Sequence, residues 1–115
     1  MSNFYPELNQ RILEMSDGDE EFRIELTSAI HAGLVELKSK YGEGIQEKDS
    51  VKIQQIRHKL KPTLMMFEFD DLIENLTEGK EILENQGFGE AASRHYFEFL
   101  EKVSKAIEEV SQLKS

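Results

Sequence analysis

The chain has 115 residues, no cysteine and a formal charge of −9, from 23 acids against 14 bases. That composition excludes a disulfide framework and a thiolate metal site. The acidic balance also argues against a nucleic-acid backbone or an anionic membrane surface as partner.

The length suits one domain, residues 1–115, with a core of its own and no linker, internal repeat or low-complexity tract. No apolar run approaches the roughly 20 residues needed to cross a bilayer. The opening Met1-Ser2-Asn3-Phe4-Tyr5-Pro6-Glu7 has neither the basic nor the apolar region of a signal peptide, so a cytoplasmic protein is expected. All the periodicity is helical, and no stretch alternates as a strand does.

In chain order, Pro6 suits the first turn of a short helix predicted over Pro6 to Met15. Ser16-Asp17-Gly18-Asp19 breaks it and offers N-caps for the next helix. That helix carries Phe22, Leu26, Ile30, Gly33, Leu37 and Tyr41 along one face, with Ala29 and Leu34 beside it, and Gly42-Glu43-Gly44 is expected to end it. Asp49 or Ser50 then caps a third helix. Asp70 or Asp71 begins a fourth, with Leu72, Ile73, Leu76 and Leu83 inward and Gly87-Phe88-Gly89 closing it. The last, from about Glu90, puts Tyr96, Phe99, Leu100, Val103, Ala106, Ile107, Val110 and Leu113 on one broad side. Short loops between long amphipathic helices make neighbours antiparallel. The expected fold is all-α, an antiparallel up-down-up-down four-helix bundle with a short extra N-terminal helix.

The third helix holds the chemistry. Ile53, Ile56, Leu60, Leu64 and Phe67 fall at the spacing of one helical face. His58 points roughly 160° from the mean direction of that stripe, and Lys61 stands one turn on, about 60° from it. An outward imidazole with a lysine one turn away suits the carriage of a phosphoryl group. Arg57, Lys59 and Lys61 form a basic island, with no acid between Asp49 and Glu68. Arg57 and Lys59 point less favourably than Lys61. Val51, Gln54, Gln55, Pro62 and Met65 lie within about 60° of the imidazole. This mixture of amides and apolar side chains is what a docking surface requires. Pro62 removes the hydrogen bond that the His58 carbonyl would accept, at a cost of about 3 kcal/mol. Because the apolar stripe keeps phase through Leu60, Leu64 and Phe67, the helix is expected to continue through Pro62 with a kink.

Over residues 49–72 the chain resembles the histidine phosphotransfer (HPt) domain family. Its pattern, D-x3-L-x3-A-H-x-L-K-G-S-S-x2-L-G-A-x2-L, is met by Asp49, Ile53, His58, Leu60, Lys61, Thr63, Phe67, Phe69 and Leu72. The helix order around this segment is similar too. The sequence departs from the pattern at Pro62 and Glu68, where the family has glycine, at Leu64 for a small hydroxyl residue, and at Arg57 for alanine. No reactive group is lost by these changes, which bear on partner choice.

The resemblance implies a phosphorelay intermediate with no catalytic turnover of its own. His58 would accept a phosphoryl group from a receiver-domain aspartate and pass it to another receiver, with Lys61 offsetting phosphoryl charge. Partners would be response-regulator receiver domains and a hybrid sensor kinase. No cofactor is expected, because Mg2+ would belong to the receiver. A monomer is expected, and the initial methionine and capped ends fit a freestanding protein. No glycine-rich phosphate loop or Walker lysine is present, so ATP binding is not expected. Di-iron bundles use Glu-x-x-His. The residues three before His31, His58 and His95 are Ser28, Gln55 and Ala92, so no metal site is expected, and His31 and His95 read as ordinary residues on helix flanks. The alternative is an adaptor that binds a receiver without ever carrying phosphate.

Overall fold

In the computed structural model, residues 5–114 are described, and they form five helices and no strand. The first is α1 (Leu8–Ser16). It starts later than Pro6, because Tyr5–Glu7 form a turn in which the Leu8 N–H donates to the Tyr5 carbonyl at 3.0 Å. Its Leu8 and Ile12 are buried against α2 (Glu20–Glu47). Asp19 caps α2, its Oδ1 accepting the Phe22 N–H at 3.0 Å.

The glycines expected to end α2 lie inside it instead. Gly42 and Gly44 are contact points. A Cβ on Gly42 would stand 2.6 Å from Tyr96 Oη, and one on Gly44 would run into Ile53. The helix stops at Lys48, which takes a left-handed conformation and donates its N–H to the Gly44 and Ile45 carbonyls. The inward face of α2 is Ile30, Leu34, Leu37 and Tyr41. Leu34 is wholly buried, while Ala29 is exposed and Phe22 is 43 % exposed, contrary to the expected face. Phe22 lies at the end of the molecule. There Arg23 donates to the carbonyl of Leu113, the last residue of the neighbouring helix.

Helix α3 (Ser50–Met66) is capped by Asp49, whose Oδ1 accepts the Lys52 N–H at 3.0 Å, and runs without a break through Pro62. Ile53, Ile56, Leu60 and Leu64 are buried, as their spacing requires. Glu68 turns the chain with φ +56, and α4 (Asp70–Gln86) follows. Phe67 and Phe69, on either side of Glu68, are both buried. The N-terminal segment holds this turn: Arg11 pairs with Glu68, Tyr5 Oη donates to Asp71 at 2.5 Å, and the Tyr5 ring meets Phe69 edge-on. Gly87 ends α4, and α5 (Glu90–Leu113) completes the chain.

Helix α2 packs against α3 and α5, and α4 packs against the same two. Pairs run antiparallel: Gly33 and Gly44 of α2 meet Leu60 and Ile53 of α3, and Tyr41 and Arg23 meet His95 and Leu113 of α5. The long axis of 47 Å is close to the roughly 42 Å that the 28 residues of α2 span at 1.5 Å each. Among the described residues no helix is long and apolar enough to cross a membrane.

His95 is not the flank residue that its position suggested. It is buried, bonded through Nε2 to Tyr41 Oη at 2.6 Å, with Nδ1 lacking a partner. Tyr41 stacks on Phe99 at 4.3 Å between centroids. Gly79 of α4 lies directly over this pair, so an added Cβ would collide with His95 Nε2 and stand 2.7 Å from Tyr41 Oη. Burial pushes the His95 imidazole below its ordinary pKa, only partly opposed by Glu98, and pushes the Tyr41 hydroxyl up, only partly opposed by Arg57.

Two outcomes are expected. Gly79→Ala should destabilise the fold by about 1–3 kcal/mol through overpacking, read from urea denaturation midpoints. Because the folded-state pKa of His95 is depressed, its contribution to stability is complete above the ordinary value of 6.5. It is lost as pH falls from that value to the folded one, while the unfolded state takes up the proton. Denaturation at about pH 7.5 and about pH 5.5 should therefore show a loss of stability on acidification that His95→Gln reduces. An unchanged pH dependence in that variant would show that His95 does not contribute.

Candidate functional site

Two helical stripes face each other across a groove of about 320 Å³ between α3 and α4. Gln54, Arg57, His58, Lys61 and Leu64 form the α3 side, at steps of three and four residues. Ile73, Leu76, Thr77 and Lys80 form the α4 side at the same steps. Both sets are thus single faces of their helices. Leu64 and Leu76 are buried at the floor. His58, Lys61, Lys80 and Gln54 are exposed, and Arg57 is half-buried.

The groove is cationic. Arg57, Lys61 and Lys80 line it, and no carboxylate does. Among the described residues none of these three is within ion-pairing distance of an acid. The cations of α3 that face α2 are placed differently. Lys59 pairs with Glu36 at 2.8 Å, and Lys52 pairs with Glu43 at 3.2 Å and Glu47 at 3.0 Å. The split is built into the helix, because α2 supplies acids and the facing stripe of α4 supplies a lysine. Thr77 adds no free donor, since its hydroxyl donates to the Ile73 carbonyl at 3.0 Å.

The residues singled out from the sequence divide into two groups. His58, Lys61 and Gln54 meet in the groove. Val51, Gln55, Pro62 and Met65 are exposed but do not line it. Val51 is 59 % exposed and Met65 is 57 % exposed, with Met66 beside it also open. Val51, Pro62 and Met65 share the face of the imidazole, Val51 and Met65 seven residues to either side of it, and Gln55 adds an amide. Arg57, though less favourably directed on the helix than Lys61, also lines the groove because α4 supplies the opposite wall. Thr77 and Lys80 of α4 line the groove as well, and nothing in the α3 sequence points to them. Their signal, the 3,4,3 spacing from Ile73, is visible in the sequence, but its pairing with α3 is not.

No family model, curated protein or solved structure matches the chain. The functional reading therefore rests on the residues themselves. A second hollow, of about 360 Å³, lies where α1 meets the α3–α4 turn and is lined by Glu7, Glu68, Asp70 and Asp71 around Arg11. It is acidic where the His58 groove is basic, and no histidine lines it. Among the described residues no three His, Asp or Glu side chains are placed to hold a metal ion.

Pro62 stands in the interior of α3 and is exposed, so its ring meets no core neighbour that would compensate for it. It has no N–H for the carbonyl of His58, four residues back. Pro62→Ala restores that bond. It should raise stability by about 1–3 kcal/mol, less a few tenths for the freer unfolded chain. The urea midpoint measures this, and an unchanged or lower midpoint would show that α3 is built around the proline.

Proposed function

We propose that the chain is a histidine phosphotransfer protein, carrying a phosphoryl group on His58 between receiver domains of a two-component phosphorelay. The observation that carries this reading is the placement of an exposed imidazole in a groove lined by no acid and by three cations that have no acidic partner among the described residues, on a chain of net charge −9. Histidine offers a neutral nucleophilic ring nitrogen near neutral pH. That nitrogen attacks the phosphorus of a receiver's aspartyl phosphate. The nitrogen–phosphorus bond forms as the bond to the aspartate oxygen breaks, and the carboxylate leaves. The second transfer reverses these roles on another receiver. Lys61 offsets charge on the phosphoryl oxygens. Mg2+ belongs to the receiver's acidic pocket, and this chain supplies no cofactor.

Val51, Gln55, Pro62 and Met65, on the same face of α3 as the imidazole, give a receiver a mixed surface of apolar and amide side chains to dock on. The fold that goes with this reading is the antiparallel up-down-up-down four-helix bundle, with α1 as the short extra helix. The ring of neighbours α2–α3–α4–α5 supports it. The reading also places the chain in the cytoplasm, with a receiver domain and a hybrid sensor kinase as its partners. The exposed apolar residues on this face equally favour a second reading, an adaptor that docks on a receiver and carries no phosphate.

Incubation with phosphorylated receiver domains separates the two. Wild type should gain one acid-labile phosphoryl group by intact mass. His58→Gln should gain none and keep its helical circular dichroism, because His58 faces solvent. Binding without any gain would establish the adaptor, and a gain that survives in His58→Gln would move the acceptor to another residue.

A further inference from the structure

We infer that the α3–α4 groove is a binding site for a phosphate dianion in its own right, with Lys80 of α4 as the cation that closes it opposite Lys61 and Arg57. The inference rests on the phosphotransfer reading for the covalent form of its ligand, the phosphoryl group on His58. Free inorganic phosphate presents the same tetrahedral chemistry.

The levels of the side chains follow from the hairpin. Helices α3 and α4 are joined by the short turn Phe67–Phe69, so residues equally far from that turn lie side by side. His58, eight residues before Met66, is level with Glu78, eight after Asp70. Lys80 is two residues further along, about 3 Å at the rise of a helix, and Lys61 is three residues the other way, about 4.5 Å. The imidazole is thus bracketed along the groove by one ammonium from each helix. Arg57 lies one residue from His58 on the inner side, half-buried.

Electrostatics favours an anion there. The chain carries 23 acids, yet none lines this groove or pairs with its three cations among the described residues. Three positive groups held around one partly enclosed space repel each other, and a dianion relieves that repulsion. The buried Leu64 and Leu76 keep water from one side, which strengthens the attraction. Lys59 provides the internal contrast. It is adjacent to His58 in sequence, but its ammonium is held by Glu36 on the α2 side and it does not line the groove.

The test titrates inorganic phosphate at low ionic strength, following backbone amide shifts by NMR. It uses wild type, Lys80→Ala, Lys80→Arg, Lys59→Ala and His58→Gln. Lys80 is exposed, so its variants should fold. A second arm charges wild type and Lys80→Ala with phosphoramidate, whose phosphorus–nitrogen bond breaks with loss of ammonia as the bond to His58 forms. Hydrolysis of the phosphohistidine is then followed by 31P NMR.

Saturable shifts are expected along residues 54–64 and 73–80. Lys80→Ala should weaken phosphate about three- to fivefold and shorten the phosphohistidine lifetime by a similar factor. Lys80→Arg should restore both, while Lys59→Ala should leave phosphate affinity as it was. His58→Gln should still bind phosphate. Equal affinity in Lys80→Ala and wild type would overturn the site, as would an equal loss in Lys59→Ala or the absence of saturable shifts. Lys80-dependent phosphate binding with no phosphohistidine from phosphoramidate or from receivers would sink the transfer reading and leave the anion site standing. Phosphohistidine with a Lys80-independent lifetime and no phosphate binding would do the reverse.

Discussion

The close approach of three helices at Gly79 sets the geometry on which the groove depends. Only a residue without a Cβ lets α4 come down over the His95–Tyr41 pair, which α5 and α2 contribute. Pinning Gly79 inward also fixes the roll of α4 about its own axis. At about 100° per residue, Lys80 must then point a quarter-turn away, and Ile73, Leu76 and Thr77 fall near the same direction. That direction is toward α3. Likewise, Gly33 against Leu60 and Gly44 against Ile53 fix the roll of α3 on α2. The groove is therefore set by contacts on the far sides of the helices that form it.

The same packing decides which charges are available. Acids on α2 hold Lys52 and Lys59, so one cation of the basic island is neutralised on that side. Arg57 and Lys61 turn toward α4, where they meet a lysine, not an acid. A chain with an excess of acids thus keeps one local field of opposite sign beside its exposed imidazole. Such a field attracts phosphate-bearing groups, whatever the net charge of the molecule.

The two imidazoles of His95 and His58 sit in opposite environments. The buried imidazole of His95 is held neutral by its surroundings and serves packing, whereas the imidazole of His58 is open and has no hydrogen-bonding partner among the described residues. Pro62 shares the second of these, being exposed. It leaves the His58 carbonyl without its helical donor while Leu60 and Leu64, on the other face, keep the helix seated in the core. The apolar residues left outside on α3, Val51, Met65 and Met66, stand near its two ends, with Val51 and Met65 seven residues to either side of His58 and on its face.

What a single helix decides was legible in the sequence. The direction of His58, the position of Lys61, the exposure of Val51 and Met65, the cap at Asp49 and the continuity of α3 through Pro62 depend only on a fixed rotation per residue and on local hydrogen bonds. What two or more helices decide was not. Gly42 and Gly44 read as helix breakers because backbone freedom is a local property, whereas their use as contact points exists only once Tyr96 and Ile53 are beside them. His95 read as a flank residue because its partner, Tyr41, is 54 positions away. Lys80 was invisible for the same reason. Helical periodicity gives an angle within one helix, but the roll of one helix against another is set by long-range packing, and that packing brings Lys80 to His58.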